Sequence, residues 1–181
     1  MVGGVKRVAI DMDEVMADTM ARYLGLYNED FGLELTPEHF RGHHFFEVID
    51  PAHQSRAIEY FGREDFFAEI PLMAGSVEVV RELTQQYEVF ITTAAMDVPC
   101  SFNAKYHWLQ RHFPFIPPSR IVFCGDKSII AADYMIDDNV RHLGNFRGEA
   151  ILYTAPHNIH ETRFRRVNDW EDVRAMLLTS S

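Results

Sequence analysis

The sequence predicts an α/β protein built on a doubly wound parallel sheet, with a small helical segment inserted after the first strand. Three observations carry the prediction. Short apolar runs of strand length recur along the chain, and stretches with apolar residues at three- and four-residue spacing separate them. Residues 15–74 hold the helical pattern alone, with no strand among them. Strands alternating with helices imply right-handed crossovers and a sheet covered on both faces.

In order, Lys6-Arg7-Val8-Ala9-Ile10 is a buried strand that ends abruptly in Asp11 and Asp13. Ala17 to Phe31 spaces Met20, Tyr23, Leu24, Tyr27 and Phe31 for one helical face, with Gly32 as the stop. Asp50-Pro51 pairs an N-cap with proline at the first helical position, opening a helix through Tyr60, and Glu64 to Ile70 forms another short one. Ser76 to Tyr87 is an amphipathic helix with Val77, Val80 and Leu83 on one face. Glu88–Thr93 is the second strand, and Phe102 to Phe113 a helix that stops before Pro114. Arg120–Cys124, Tyr134–Asp137 and Glu149–Thr154 are three further strands, and a helix from Asp169 to Leu178 closes the chain. The predicted division is a core of residues 1–14 and 75–181 and a helical cap of residues 15–74. No internal repeat interrupts it.

Composition narrows the function. With 181 residues and 47% apolar content the chain suits one domain with a proper core. A net charge of −10 argues against a nucleic-acid polymer as partner, because such binders carry a basic stripe. A small phosphorylated substrate is still allowed, since one lysine or a divalent cation compensates it locally. No apolar stretch is long enough to cross a bilayer, and Lys6-Arg7 has no long apolar segment behind it, so neither a membrane partner nor a secretory signal is expected. The expectation is a cytoplasmic protein, with a homodimer allowed. Cys100 and Cys124 fit neither a disulfide framework nor a zinc pattern, and Cys124 reads as a buried small hydrophobe.

The chemistry is read at the strand ends, because ligands in such sheets bind beyond the carboxyl ends where the winding reverses. In a strand, Asp11 and Asp13 fall on the same side, and two acids in one small volume imply a metal, acid/base work or both. Tyr134-Met135-Ile136-Asp137-Asp138-Asn139 repeats the pattern of an apolar run ending in paired acids. Thr92 and Thr93 end the second strand, and Cys124-Gly125-Asp126-Lys127 the third. Singly these are a helix cap, a solvated lysine or an N-cap. Jointly, four acids around one crevice need a cation. Carboxylates and water suit magnesium, and the parts together suit phosphoryl transfer: one Asp attacks phosphorus, the second moves protons, and Thr, Lys and backbone N–H groups hold phosphoryl oxygens.

Asp11-Met12-Asp13-Glu14-Val15, Ile91-Thr92-Thr93, Lys127 and Ile136-Asp137-Asp138, in that order, look like the four motifs of the haloacid dehalogenase superfamily of phosphatases. More narrowly, Asp11 to Asp18 (DMDEVMAD), Lys105-Tyr106-His107-Trp108, and Asp126-Lys127-Ser128 with Ala132-Asp133 and Ile136-Asp137-Asp138 resemble the 5'(3')-deoxyribonucleotidases, over roughly Ile10 to Asn139. The resemblance implies a Rossmann-like core, a helical cap, Mg2+ as cofactor and a deoxynucleoside monophosphate as substrate. It makes Asp11 the nucleophile and Asp13 the general acid/base. The metal would be held by Asp11, the Asp13 backbone carbonyl and Asp138, with Asp137 beside them. Thr93, Ala94, Lys127 and Lys105 would bind phosphate, and the cap positions around the base would be Thr19, His43, His44, Phe45 and Phe61. Thr19 and the two histidines stand where the family's better-known members put large aromatics. Glu14 takes a place where glycine is common, and Ala94-Ala95 replaces Ser-Pro.

Other readings stay open. His43-His44 as a transition-metal site is weak, because adjacent side chains diverge. His157 and His160 are assigned no function. Phe45, Phe46, Phe66 and Phe67 either fill a small core of the cap or cover a substrate. The same motifs would serve a phosphatase for another small metabolite. A receiver-like signalling module also groups acids, Thr and Lys around magnesium, but it lacks the insertion and carries its phosphoaccepting Asp on the third strand. A nucleotide-binding regulator that has lost the activity would keep the fold.

Overall fold

The computed structural model describes residues 4–179. Among them six parallel strands form one sheet in the order β3-β2-β1-β4-β5-β6. They are β1 (Arg7–Asp11), β2 (Glu88–Thr93), β3 (Ile121–Phe123), β4 (Tyr134–Asp137), β5 (Glu149–Tyr153) and β6 (Arg165–Val167). Five were expected. The sixth escaped because Arg165-Arg166-Val167 is three residues long and opens with two cations, so it carries no apolar run.

β1 is central, and its Val8, Ala9 and Ile10 are fully buried, as a strand covered on both faces requires. The pairing Ile10↔Ile136 sets Asp11 level with Asp137 on the neighbouring strand, and Asp11↔Thr92 sets Thr93 one step beyond. The winding reverses between β1 and β4, so these residues lie at the switch point. One expectation changes here. β1 stops at Asp11, and Asp13 lies past it in a turn bridged to Ala17, so the two acids are not neighbours on one strand face.

Between β1 and β2 the chain forms α1 (Thr19–Phe31), α2 (Phe45–Val48), α3 (Gln54–Glu59), α4 (Glu64–Ala68) and α5 (Ser76–Leu83). Asp18 caps α1 by accepting the Ala21 N–H at 2.8 Å, and Gly32 ends it in the left-handed region at φ 63°. Asp50 caps a short 3-10 turn, Pro51–His53, before α3 rather than one continuous helix to Tyr60. An aromatic cluster holds this segment together. Tyr23 sits 4.5 Å from Phe45, 4.9 Å from Phe66 and 5.1 Å from Phe61 between ring centroids.

The remaining helices are α6 (Phe102–His112), α7 (Val140–Leu143) and α8 (Trp170–Leu178). The expected cover on both faces is unequal. The large core takes Val8, Ile10, Val89, Ile91 and Ile136 from one face together with the helices of the insertion, α5, α6 and α8. Among the described residues the other face gathers a smaller cluster, Ala9, Met135, Leu143 and Leu152, with Ile130, Ala132, Val140, Phe146, Ala150 and Phe164 against them. The β3–β4 and β5–β6 crossovers are the 3-10 turns Lys127–Ile129 and Pro156–Asn158 with extended chain, where helices would otherwise stand.

Trp170 ties the end of the chain to the start of the insertion. It is 1% exposed, and its indole N–H donates to the Val15 carbonyl at 2.8 Å. Trp170→Phe leaves that buried carbonyl unpaired and opens space in the core, so urea unfolding is expected to show about 1–3 kcal/mol lost stability. An unchanged midpoint would mean the bond contributes nothing.

Candidate active site

The turn after β1 builds the site's floor. The Met12 carbonyl accepts the N–H groups of Met16 and Ala17, each at 2.9 Å, and Glu14 N–H donates to the Ala17 carbonyl at 2.8 Å. Closing so tight a turn puts Glu14 at φ 59°, a left-handed conformation that glycine adopts without strain. Glu14 compensates by accepting the Met20 N–H at 2.5 Å, an orphan donor at the start of α1. Withdrawal from water, then the charge of Asp18, push its carboxyl up to about 8, against the pull of that N–H.

Two charge clusters follow. In the first, Lys127 is fully buried, and its ammonium donates to Asp11 Oδ1 at 2.5 Å and to Asp137 Oδ2 at 2.6 Å. Asp137 Oδ1 accepts the Asn139 N–H at 2.8 Å. Carboxylate oxygens of Asp11, Asp137 and Asp138 all lie within 4.8 Å of one another. Burial, then the nearby acids Asp137 and Asp13, outweigh Lys127 and push Asp11 up to about 7. Burial followed by Asp137, Asp11 and Glu14 raises Asp138 well above the ordinary carboxylate range, and burial also raises Asp137 despite Lys127. Burial opposes the Lys127 charge, but its two carboxylate partners prevail and raise it.

Three buried acids facing one ammonium leave an excess of negative charge in a desolvated place. Hard oxygen donors so close together fit a divalent cation such as magnesium, which would relieve it.

In the second cluster, Lys105 in the first turn of α6 donates to Asp13 Oδ2 at 2.5 Å and is 4% exposed, so it is no surface charge. Thr93 Oγ1 donates to Asp13 Oδ2 at 3.4 Å and Thr19 Oγ1 to Asp13 Oδ1 at 3.3 Å. Asp13 therefore has a lysine and two hydroxyls as partners, apart from the three acids grouped at Lys127. Ala94 follows Thr93 directly and opens the 3-10 turn Ala95–Asp97.

The cap positions divide. Thr19, His44 and Phe45 line a crevice of about 200 Å³ with Glu14, Tyr23 and Asp138. Phe61 instead lines a separate cavity of about 450 Å³ with Phe67 and Cys100. His43 is exposed, with Nδ1 3.9 Å from Glu47. Sequence reasoning missed four residues here. Tyr23, counted as core, lines the crevice, and its buried hydroxyl has no partner among the described residues. His157 stands with Nε2 3.5 Å from Asp138 Oδ2, and burial, then His44, push its imidazole down to about 4. Asn158 donates to the Asp138 carbonyl at 2.8 Å, and Arg166 donates to Asn158. The strand-end rule applied after Tyr153 would have pointed to His157 and Asn158. Nothing local marks Arg166.

A family model for 5' nucleotidase, deoxy (pyrimidine), cytosolic type C proteins matches residues 5–181. A Bacillus subtilis protein named 5'(3')-deoxyribonucleotidase is 39% identical over 176 residues, 96% of this chain and 99% of its own. A Staphylococcus aureus relative, provisionally named for the same activity, is 46% identical over 173 residues, 96% of each chain. Among solved structures, a HAD-hydrolase from Bacillus subtilis bound to magnesium aligns with a TM-score of 0.61 over 97% of this chain and 99% of its own. At 17% identity that likeness concerns the fold. The match along almost the whole chain, with relatives of the same length, places this protein in the type C 5' nucleotidase family, as a phosphoric monoester hydrolase on the haloacid dehalogenase fold.

Proposed function

We propose that the protein dephosphorylates deoxynucleoside monophosphates with magnesium, through an aspartyl-phosphate on Asp11. One observation carries the reading: Asp11, Asp137, Asp138 and Lys127 converge at the switch point with the Asp13–Lys105 pair beside them.

A carboxylate oxygen of Asp11 attacks phosphorus as the bond to the nucleoside oxygen breaks. Asp13 gives its proton to that leaving oxygen. Ionised Asp13, steadied by Lys105, Thr19 and Thr93, then takes a proton from water. The hydroxide oxygen attacks the phosphoryl group, the bond to Asp11 breaks, and phosphate leaves. Lys127 fixes the orientation of Asp11 with one N–H and that of Asp137 with another, and its third donor is assigned to a phosphoryl oxygen. The Thr93–Ala94 segment borders the same oxygens. Asp11, Asp138 and the Asp13 carbonyl would hold the magnesium ion, with Asp137 beside them. When bound, the ion offsets the charge of the acids and the phosphoryl group.

Residues 15–74 serve as the cap that closes the site against bulk water. The nucleoside is placed in the crevice at Thr19, His44 and Phe45, where the unpaired Tyr23 hydroxyl offers a hydrogen bond. The names of the family and of the Bacillus subtilis relative support the substrate class. The receiver-like alternative gives way to the family's hydrolase character.

Asp11→Asn is expected to cut phosphate release from deoxynucleoside monophosphates by about three orders of magnitude or more while the circular dichroism spectrum is kept. Retained turnover would refute the nucleophile assignment. The same variant tests linkage. The folded protein holds the Asp11 proton up to about pH 7, whereas the unfolded chain releases it near 3.8. Native protein therefore binds more protons in that window, and metal-free stability contributed by this site falls as pH rises through it. Asp11→Asn removes the fall, so its melting temperature gains on the wild type between pH 4 and 7, and parallel curves would contradict the shift.

Asp13→Asn tests the proton shuttle. A nucleoside alkoxide needs a proton to leave and p-nitrophenolate does not, so kcat/KM should drop at least ~10-fold further for the nucleotide. Equal losses on both substrates would remove Asp13 from the acid role.

A further inference from the structure

The loop after β5 is tied to three things at once. Arg166 braces it from β6, donating from Nη1 to the Asn158 side-chain oxygen at 2.9 Å and from Nη2 to the main-chain carbonyls of Asn158 at 2.9 Å and Glu161 at 2.6 Å. Asn158, 4% exposed, spends its amide donors on the carbonyls of Asp138 and Tyr153, each at 2.8 Å. Every polar group of this side chain is therefore used, and the loop is fixed relative to the end of β4.

So held, His157 reaches Asp138 from one side, its Nε2 3.5 Å from Oδ2. Its ring is stacked on its other side by His44 of the inserted segment, with centroids 4.6 Å apart and planes inclined by 21°. Gly42 secures the same junction. Its N–H donates to the Pro156 carbonyl at 2.8 Å, and at φ 80° it lies so close to the His160 ring that a Cβ would meet it at 2.7 Å. The segment that roofs the crevice thus rests on the loop that touches the acid.

We propose that His157 is a positioning residue for Asp138, held by the Asn158–Arg166 brace and stacked by His44, so that seating of the cap and affinity for the divalent cation are coupled. This rests on the reading of Asp138 as a metal ligand. The physical need is plain. Asp138 gains charge when it binds a cation, and an imidazole nitrogen 3.5 Å from its Oδ2, close enough to donate after a small rotation, limits its orientation beforehand, as outer-shell partners of ligating carboxylates do. His44 limits the rotation of the imidazole and links that orientation to the cap.

The test is calorimetric titration of the metal-free full chain with magnesium chloride, without substrate. His157→Phe keeps the stack and loses the donor, and magnesium affinity is expected to fall about 10-fold or more. His157→Gln restores a donor at the same reach, and affinity should return toward the wild-type value. His44→Ala, a change at an exposed ring, should weaken magnesium in the same direction by less. Wild-type affinity in His157→Phe, or equal weakening in the Phe and Gln variants, would overturn the proposal. Asp138→Asn separates this from the underlying reading: if it binds magnesium as the wild type does, the metal assignment fails and the positioning role with it. Metal-free melting temperatures alongside exclude a mere folding defect.

Discussion

One ammonium holds the architecture of the site. Lys127 is inaccessible to solvent and binds Asp11 and Asp137, so it joins the ends of two adjacent strands to the turn that leaves a third. Burial disfavours the ammonium, and its two carboxylate partners keep it charged. Such a bridge is weak evidence for stability, since desolvation of the ions consumes much of the attraction. Its consequence is geometric. Asp11 has one orientation, and Asp138, next in the chain after Asp137, is directed into the same space.

The two charge clusters differ in how their carboxylates are paired. Asp11, Asp137 and Asp138 share one ammonium and stand in a desolvated group, which raises all three. Asp13, two residues from Asp11, has its own lysine and two hydroxyls. Neighbouring carboxylates thus have unlike partners: three share one ammonium, and Asp13 has a lysine to itself. The turn between them makes this separation possible, and Glu14 sustains its left-handed backbone by capping α1.

The inserted segment serves two needs with one set of aromatics. Tyr23, Phe45, Phe61 and Phe66 pack on one another, joining the inserted helices to the large core on that face of the sheet. Phe45 and Tyr23 also present surface to the crevice. A substrate resting there would touch side chains already fixed by packing, which lowers the entropy lost on binding. The thinner face of the sheet takes no part in this, being covered by α7 and irregular chain.

What the sequence determined by itself was whatever depends on neighbours in the chain. The periodicity of Val8 to Ile10, Val89 to Ile91 and Tyr134 to Asp137 specified strands, Gly32 and Asp169 marked helix ends, and the acids at the strand ends located the crevice. Only the tertiary structure decided which carboxylate meets which cation. Lys105 was expected at phosphate on the family likeness alone, and its reach to Asp13 spans 92 residues, as that of Lys127 to Asp11 spans 116. His157 and Asn158 are marked only by their place after a strand end, and Arg166 by nothing local. Their partners are set by parallel register between strands far apart in sequence, a quantity that no run of adjacent residues encodes.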